Sequence, residues 1–310
     1  MNAILSTGLL YLSLHMSAVP VILDTDIGDD IDDTWALCML IGAPHADLKL
    51  VVTASDDTPT KTRLVAKMLE CMGRTDIPIG TGKKNSDRAI HQAGWLGDYT
   101  LDNYPGVVHQ DGVQALIDAI HAGDGKVVLC VIGPQTNLAE ALKRDPSIAG
   151  KTRVVAMAGS VHIGYGGKET PDPEWNVHRD LEAARAVFAA PWEISMAPLD
   201  TCGTLILKGK NYQKVADSQT ARARVVMENY AVWSNRHHYP KDESSVLFDT
   251  LATGMIYDES HVAMDTVKLR IDDKGMTVPD EENGRPVRCA LRWKDREGFE
   301  RHLVECLVTP

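Results

Sequence analysis

The segment DTDIGDDIDD, residues 24–33, places six carboxylates within ten positions: Asp24, Asp26, Asp29, Asp30, Asp32 and Asp33. Carboxylates this close cannot all stay ionised and unpaired, because mutual repulsion disfavours the charged forms unless a cation shares the site. No Cys or His is interleaved, and a dense set of oxygen ligands favours Ca²⁺ or Mg²⁺ over zinc. Gly28 lets the segment turn sharply. Helix N-capping by Asp32 or Asp33 is a plainer use of acids at this place, but it needs one or two of them rather than six. An EF-hand-like loop would follow a helix and carry a Glu at its twelfth position, whereas the apolar, strand-like VPVIL precedes this one.

The elements that must position these acids follow an alternating pattern. Short β-branched runs, VPVILDTD (19–26) and LKLVVTAS (48–55), alternate with amphipathic stretches, TWALCMLIGA (34–43) and KTRLVAKMLECMG (61–73). The alternation continues through KVVLCVIG (126–133), TNLAEALKRD (136–145), RVVAMAG (153–159), LEAARAVFAA (181–190) and EISMAPLD (193–200). This pattern predicts an α/β fold in one domain over residues 19–310, with an open, mostly parallel central sheet flanked by helices and a Rossmann-like core. The runs VILD, LVVT, VVLCVI and VVAMA are apolar throughout, as strands buried on both faces should be. Ligands of such sheets bind at the carboxyl ends of the strands. The acidic segment, the IGPQTN turn and the loop after MAGS all fall there. Residues 205–245 read as helical and carry the aromatic, His-rich NYAVWSNRHHYP, while 264–306 read as strand, turn, strand and closing helix.

With 44% hydrophobic and 24% charged residues the chain has the composition of a folded globular protein. A formal charge of −11 argues against a nucleic-acid partner, which calls for a basic stripe. No apolar run is long enough to span a bilayer. The six cysteines lie far apart with no CxxC pair and are expected to be buried thiols, without zinc or disulfides. Residues 1–18 contain a short apolar run ending in small residues, similar to a signal peptide but lacking Lys or Arg near Met1. A cytoplasmic location is the favoured expectation, with export as the alternative.

VILDTDIGDDIDDTWAL resembles the DxDxGxDDxxAL signature of the inosine–uridine-preferring nucleoside hydrolase family. VLCVIGPQTNLAEAL, PDPEWNVHRDLEAA, LFDTLAT and GMTVPDEENGRP resemble further motifs of that family, in the family's order. The resemblance implies a calcium-dependent hydrolase of the N-glycosidic bond of nucleosides, a small-molecule substrate, and a homodimer or homotetramer. It implies calcium ligation by Asp26, Asp33, Asp249 and the carbonyl of Ile132, and contacts from Glu174 and Asn176 to the sugar hydroxyls. Asp30 and Asp32 are divided between metal and sugar, with Asp30 placed on the metal and Asp32 on the substrate.

Asp26 is the expected general base, since a cation that lowers the pKa of a bound water lets a nearby carboxylate take its proton. Departures from the family pattern cluster around the substrate. Ser55, Asp56 and Asp57 stand where many members have Gly-Asn, which makes Asp57 a candidate substrate contact. Lys168 stands where a sugar-contacting Asn is expected, and Phe248 replaces a His before the last metal aspartate. Phe248 cannot donate a proton to the leaving group. His237 and His238 are therefore the candidate acids, ahead of His162, His178 and Tyr239. Trp175, inside the sugar motif, is expected to line the pocket, with burial against the sheet as the alternative. The same departures leave open a hydrolase of another glycosyl compound, or a calcium-dependent sugar-binding protein without turnover.

Overall fold

The computed structural model describes residues 18–237 and 239–310, with the side chains of Arg236 and His237 outside the description. Its first half runs β1 (Val19–Thr25), α1 (Asp32–Gly42), β2 (Ala46–Thr53), α2 (Thr58–Cys71), β3 (Ile79–Thr81), β4 (Val108–His109), α3 (Gly112–Ala122), β5 (Val128–Val131), α4 (Thr136–Arg144) and β6 (Arg153–Met157). The second half adds α5 (Trp175–His178), α6 (Leu181–Ala189), β7 (Ile194–Ala197), α7 (Gly209–Asp217), α8 (Ala221–His237), α9 (Phe248–Met255), β8 (Val262–Ile271), β9 (Thr277–Pro279), β10 (Arg285–Trp293) and α10 (Arg296–Val308).

Among the described residues the strands form one sheet in the order β4-β3-β2-β1-β5-β6-β7-β10-β8-β9. Pairing is parallel from β4 through β10, and β8 runs antiparallel to both β10 and β9. The apolar runs of the sequence are strands covered on both faces. In β1, Val21 and Leu23 enter the core beneath α1, while Ile22 enters the core on the opposite face. Neighbouring β5 alternates in the same way, Val128 and Cys130 against Leu129 and Val131. Side chains of a strand point alternately to the two faces, so a central strand with helices on both sides must be apolar at every position. On one side α1 packs against α8, α9 and α10; on the other, α4 packs against α3 and α6.

Chain order reverses at β1: β2, β3 and β4 extend to one side of it, and β5, β6 and β7 to the other. The chain leaves β1 for a helix on one face of the sheet and leaves β5 for a helix on the other, which opens a crevice between their carboxyl ends. Of the six cysteines, Cys71 is exposed, at the end of α2 where the helix turns to solvent, a correction to the expectation that all are buried. No described helix is long and apolar enough to cross a membrane. The signal-like stretch falls, apart from Ala18, outside the described residues.

Candidate active site

The crevice holds a cavity of about 320 Å³. Its acidic side is built by the segment between β1 and α1. Gly28 makes the turn with φ +111°, and a Cβ there would come within 2.6 Å of Ile90 Cγ2 and 2.9 Å of Leu64 Cδ1, so no other residue fits without moving the packing. On the β5 side, a Cβ at Gly133 would lie 2.8 Å from the Asp26 backbone nitrogen and 3.0 Å from its Oδ1. The two strand ends therefore touch through glycine.

Asp32, Asp33 and Asp249 converge, each offering a carboxylate oxygen within 4.8 Å of the others, and all three are buried. Asp32 and Asp33 open α1, and Asp249 lies in the first turn of α9, which packs against it. The N-cap position of α1 is Ile31, with no side chain capping it, so Asp32 and Asp33 are not spent as caps. Thr25 Oγ1 donates to Asp33 Oδ1. Burial first, and then mutual repulsion, pushes all three carboxyls well above the usual carboxylate range. Three buried oxygen donors that cannot ionise together fit a hard divalent cation, which would remove both penalties at once.

Asp26 lines the same cavity, 8% exposed, and burial pushes its carboxyl up to about 6, with Lys61 opposing and Asp29 adding to the rise. Behind it, Asp24 is fully buried; Asn137 Nδ2 donates to its Oδ2 at 2.7 Å, and burial raises it to about 7. The expected partition between Asp30 and Asp32 is not what the geometry gives. Asp32 joins Asp33 and Asp249, whereas Asp30 is exposed at the cavity edge, its Oδ1 accepting from Ile31 N–H at 2.7 Å. The segment turns Asp30 outward just before the helix begins.

Across the cavity, Glu174 is the N-cap of α5, and its carboxylate accepts from the N–H groups of Asn176 at 2.8 Å, Gly159 at 2.9 Å and Val177 at 3.2 Å. It is 1% exposed, and burial raises it to about 7 despite those three donors. Asn176 Nδ2 donates to the carbonyls of Ile132 and Met157, both at 3.1 Å, tying the ends of β5 and β6 to α5. Ile132, Glu174, Trp175, Asn176, Phe248 and Asp249 all line the cavity. Trp175 is 43% exposed, with the guanidinium carbons of Arg88 and Arg179 at 5.5 and 5.7 Å from its ring. Tyr165 meets Phe248 edge-on, ring centroids 6.0 Å apart.

Two expected substrate contacts stand outside the lining. Asp57 sits at the N-cap position of α2 and accepts from Thr60 Oγ1 at 2.6 Å; Lys168 is half exposed and pairs with Asp172 at 2.6 Å. Beside Asp57, the buried Asp56 accepts from Ser86 Oγ at 2.5 Å and Arg179 Nη2 at 2.6 Å. His162 and His178 are exposed and do not line the cavity; His238 and the side chain of His237 lie outside the described residues. Tyr239 does line it, its ring 4.8 Å from that of Trp233.

Three lining residues carry no signal in the sequence, Arg88, His91 and Tyr165, while a fourth, Trp233, lies in the aromatic NYAVWSNRHHYP segment but was not singled out. Lys61 was also missed, although its register was legible. It shares the i, i+3, i+4, i+7 stripe of α2 with Leu64, Val65 and Met68, and a lysine on a core-facing stripe needs a buried acceptor.

A mostly parallel sheet with a crevice at its switch point, walled by buried carboxylates, defines an α/β protein whose Asp32, Asp33 and Asp249 could hold a metal ion. The family model for inosine-uridine preferring nucleoside hydrolase matches residues 21–301, and the chain belongs to that family. It is 35% identical to the pyrimidine-specific ribonucleoside hydrolase RihA of Enterobacter sp. (strain 638) over 202 residues, covering 59% of this chain and 60% of that protein. The inosine-uridine preferring nucleoside hydrolase of Crithidia fasciculata is 29% identical over 304 residues, covering 91% of this chain and 94% of its own. Among solved structures, a plant nucleoside hydrolase matches the fold with a TM-score of 0.79 at 23% identity, over 94% of this chain and 99% of that one.

Proposed function

We propose that this chain hydrolyses the N-glycosidic bond of ribonucleosides with the help of one bound Ca²⁺, residues 19–310 acting as one domain. The observation that carries the proposal is the buried convergence of Asp32, Asp33 and Asp249 beside Asp26 in a cavity of about 320 Å³. Asp26, Asp33, Asp249 and the carbonyl of Ile132 are the assigned ligands, and Asp32, by its place in the cluster, joins them. When bound, the ion lowers the pKa of a water and fixes the vicinal hydroxyls of the sugar.

The protein groups supply the rest. Asp26 takes a proton from the attacking water, and the surrounding carboxylates stabilise positive charge developing on the sugar ring. Glu174 and Asn176, held by backbone groups of β5, β6 and α5, orient the sugar. The aromatic wall of Tyr165, Trp175 and Phe248 covers the departing base and excludes water. Phe248 has no proton to give, and His91 is the imidazole that lines the cavity among the described residues, so it becomes a candidate acid beside His237 and His238. Assembly as a homodimer or homotetramer belongs to the same proposal.

The test is sugar release from a panel of purine, pyrimidine and nicotinamide ribosides, with and without a chelator. Release that the chelator stops supports the hydrolase. Tight sugar binding without release on any member of the panel would replace it with a calcium-dependent sugar-binding module.

A further inference from the structure

Lys61 is the one fully buried lysine or arginine among the described residues, at 0% exposure. A buried ammonium is costly unless its donors are met, and this one meets Asp26 and Asp29 of the acidic segment. Nζ donates to the carbonyl oxygen of Asp26 at 2.6 Å and stands 3.5 Å from Asp29 Oδ2. The other carboxylate oxygen of Asp29, Oδ1, is buried with no hydrogen-bond partner. Lys61 reaches the segment from α2, a separate element whose Leu64 also packs under Gly28, so the ammonium is fixed by a helix rather than by the loop it grips.

We propose that Lys61 is a positioning residue for the cation site: an internal ammonium that clamps Asp26 and Asp29 so that the acidic segment keeps its receiving shape before the divalent ion arrives. The inference rests on the proposed cation site. Asp29 is then the clamp's counter-ion, which explains an aspartate that lines the cavity yet lies outside the cluster of Asp32, Asp33 and Asp249. The carbonyl contact matters because it fixes the backbone from which the Asp26 side chain projects, and a carboxylate displaced by a rotating peptide cannot meet a cation in fixed geometry.

Two effects of the ammonium oppose each other, and their signs separate the proposal from its rival. As a charge alone, Lys61 repels a nearby dication, so Lys61→Met would tighten calcium binding. As a clamp, its removal loosens the segment and weakens binding. The experiment measures Ca²⁺ affinity by calorimetry on metal-stripped wild type, Lys61→Met and Lys61→Gln, with hydrogen exchange of residues 26–33 in the same metal-free samples. The clamp predicts affinity weaker by about 10–100-fold in Lys61→Met, the range typical of partners behind a ligand shell. It also predicts faster exchange of that segment, and an intermediate loss in Lys61→Gln, which keeps a donor for the Asp26 carbonyl. Unchanged or tighter binding in Lys61→Met overturns the clamp. If that variant does not fold, Lys61→Gln decides: wild-type affinity and exchange overturn the proposal, and weaker affinity with faster exchange supports it. Wild type that binds no Ca²⁺ instead overturns the cation site itself.

Discussion

Asn137 Nδ2 donates to Asp24 Oδ2 at 2.7 Å and to the Thr53 carbonyl at 3.1 Å, so one side chain on α4 locks together the ends of β1 and β2. Asn137 is fully buried. Asn137→Ala should destabilise the protein by about 1–3 kcal/mol, the cost of leaving buried polar groups unpaired. Denaturant unfolding that shows no loss would mean the strand ends are held by packing alone.

Asp26→Asn is nearly isosteric and should leave the fold intact while lowering sugar release by about 10²–10⁴-fold, the usual contribution of a general base. Steady-state kinetics beside a circular dichroism spectrum checks both halves. Near-normal turnover would move the base to another carboxylate of the segment.

Burial pushes Asp24 and Glu174 to about 7 and Asp26 to about 6. In the unfolded chain these groups ionise near pH 4. Between about pH 4 and pH 7 the folded state thus holds protons that the unfolded state has released, and stability of the metal-free protein falls as pH rises. Calcium should restore it by stabilising the ionised forms. The gain in melting temperature on adding Ca²⁺ should widen from about pH 5 to about pH 8; a gain constant across that window would show that these carboxyls do not couple to the ion.

Glu174 both faces the cavity and caps α5. Glu174→Ala should therefore lose stability, by about 0.5–2 kcal/mol for the cap, as well as activity. Glu174→Gln keeps one acceptor oxygen and should recover most of the stability but little of the activity. Thermal melts and kinetics on the pair decide; loss of activity without loss of stability in the alanine variant would assign Glu174 to substrate alone.

Phe248 presents an apolar ring to the cavity, where the proposed mechanism would place the leaving group. Phe248→His should raise the rate on inosine or adenosine, whose bases leave poorly, and hardly change p-nitrophenyl riboside, which needs no acid. Equal responses would make Phe248 a matter of pocket shape and shift attention to His91, His237 and His238.

The fold was legible where strands are long and central. β1, β2, β5 and β6 announce themselves because burial on both faces demands unbroken apolar runs. β3 and β4 span only Ile79–Thr81 and Val108–His109, too short for any period to show. The acidic half of the site was legible because Asp26, Asp32 and Asp33 lie on one continuous segment. Arg88, His91 and Tyr165 reach the cavity, and Lys61 the back of the acidic segment, from other elements, and only tertiary packing brings them there. The different placements of Asp30, exposed, and Asp32, buried in the cluster, hung on where α1 begins, a boundary that closely spaced acids do not mark.

The place of Asp249 on α9, late in the chain, also sets when the ring of carboxylates can exist. Asp26, Asp32 and Asp33 are made well before Asp249, which follows β7 and α8 in the chain. A nascent chain carries three crowded aspartates for most of its synthesis with nothing to close the ring around an ion. A cation site built on this ring would therefore require α9, and a fragment ending before α9 would keep the repulsion without the carboxylate that completes the ring.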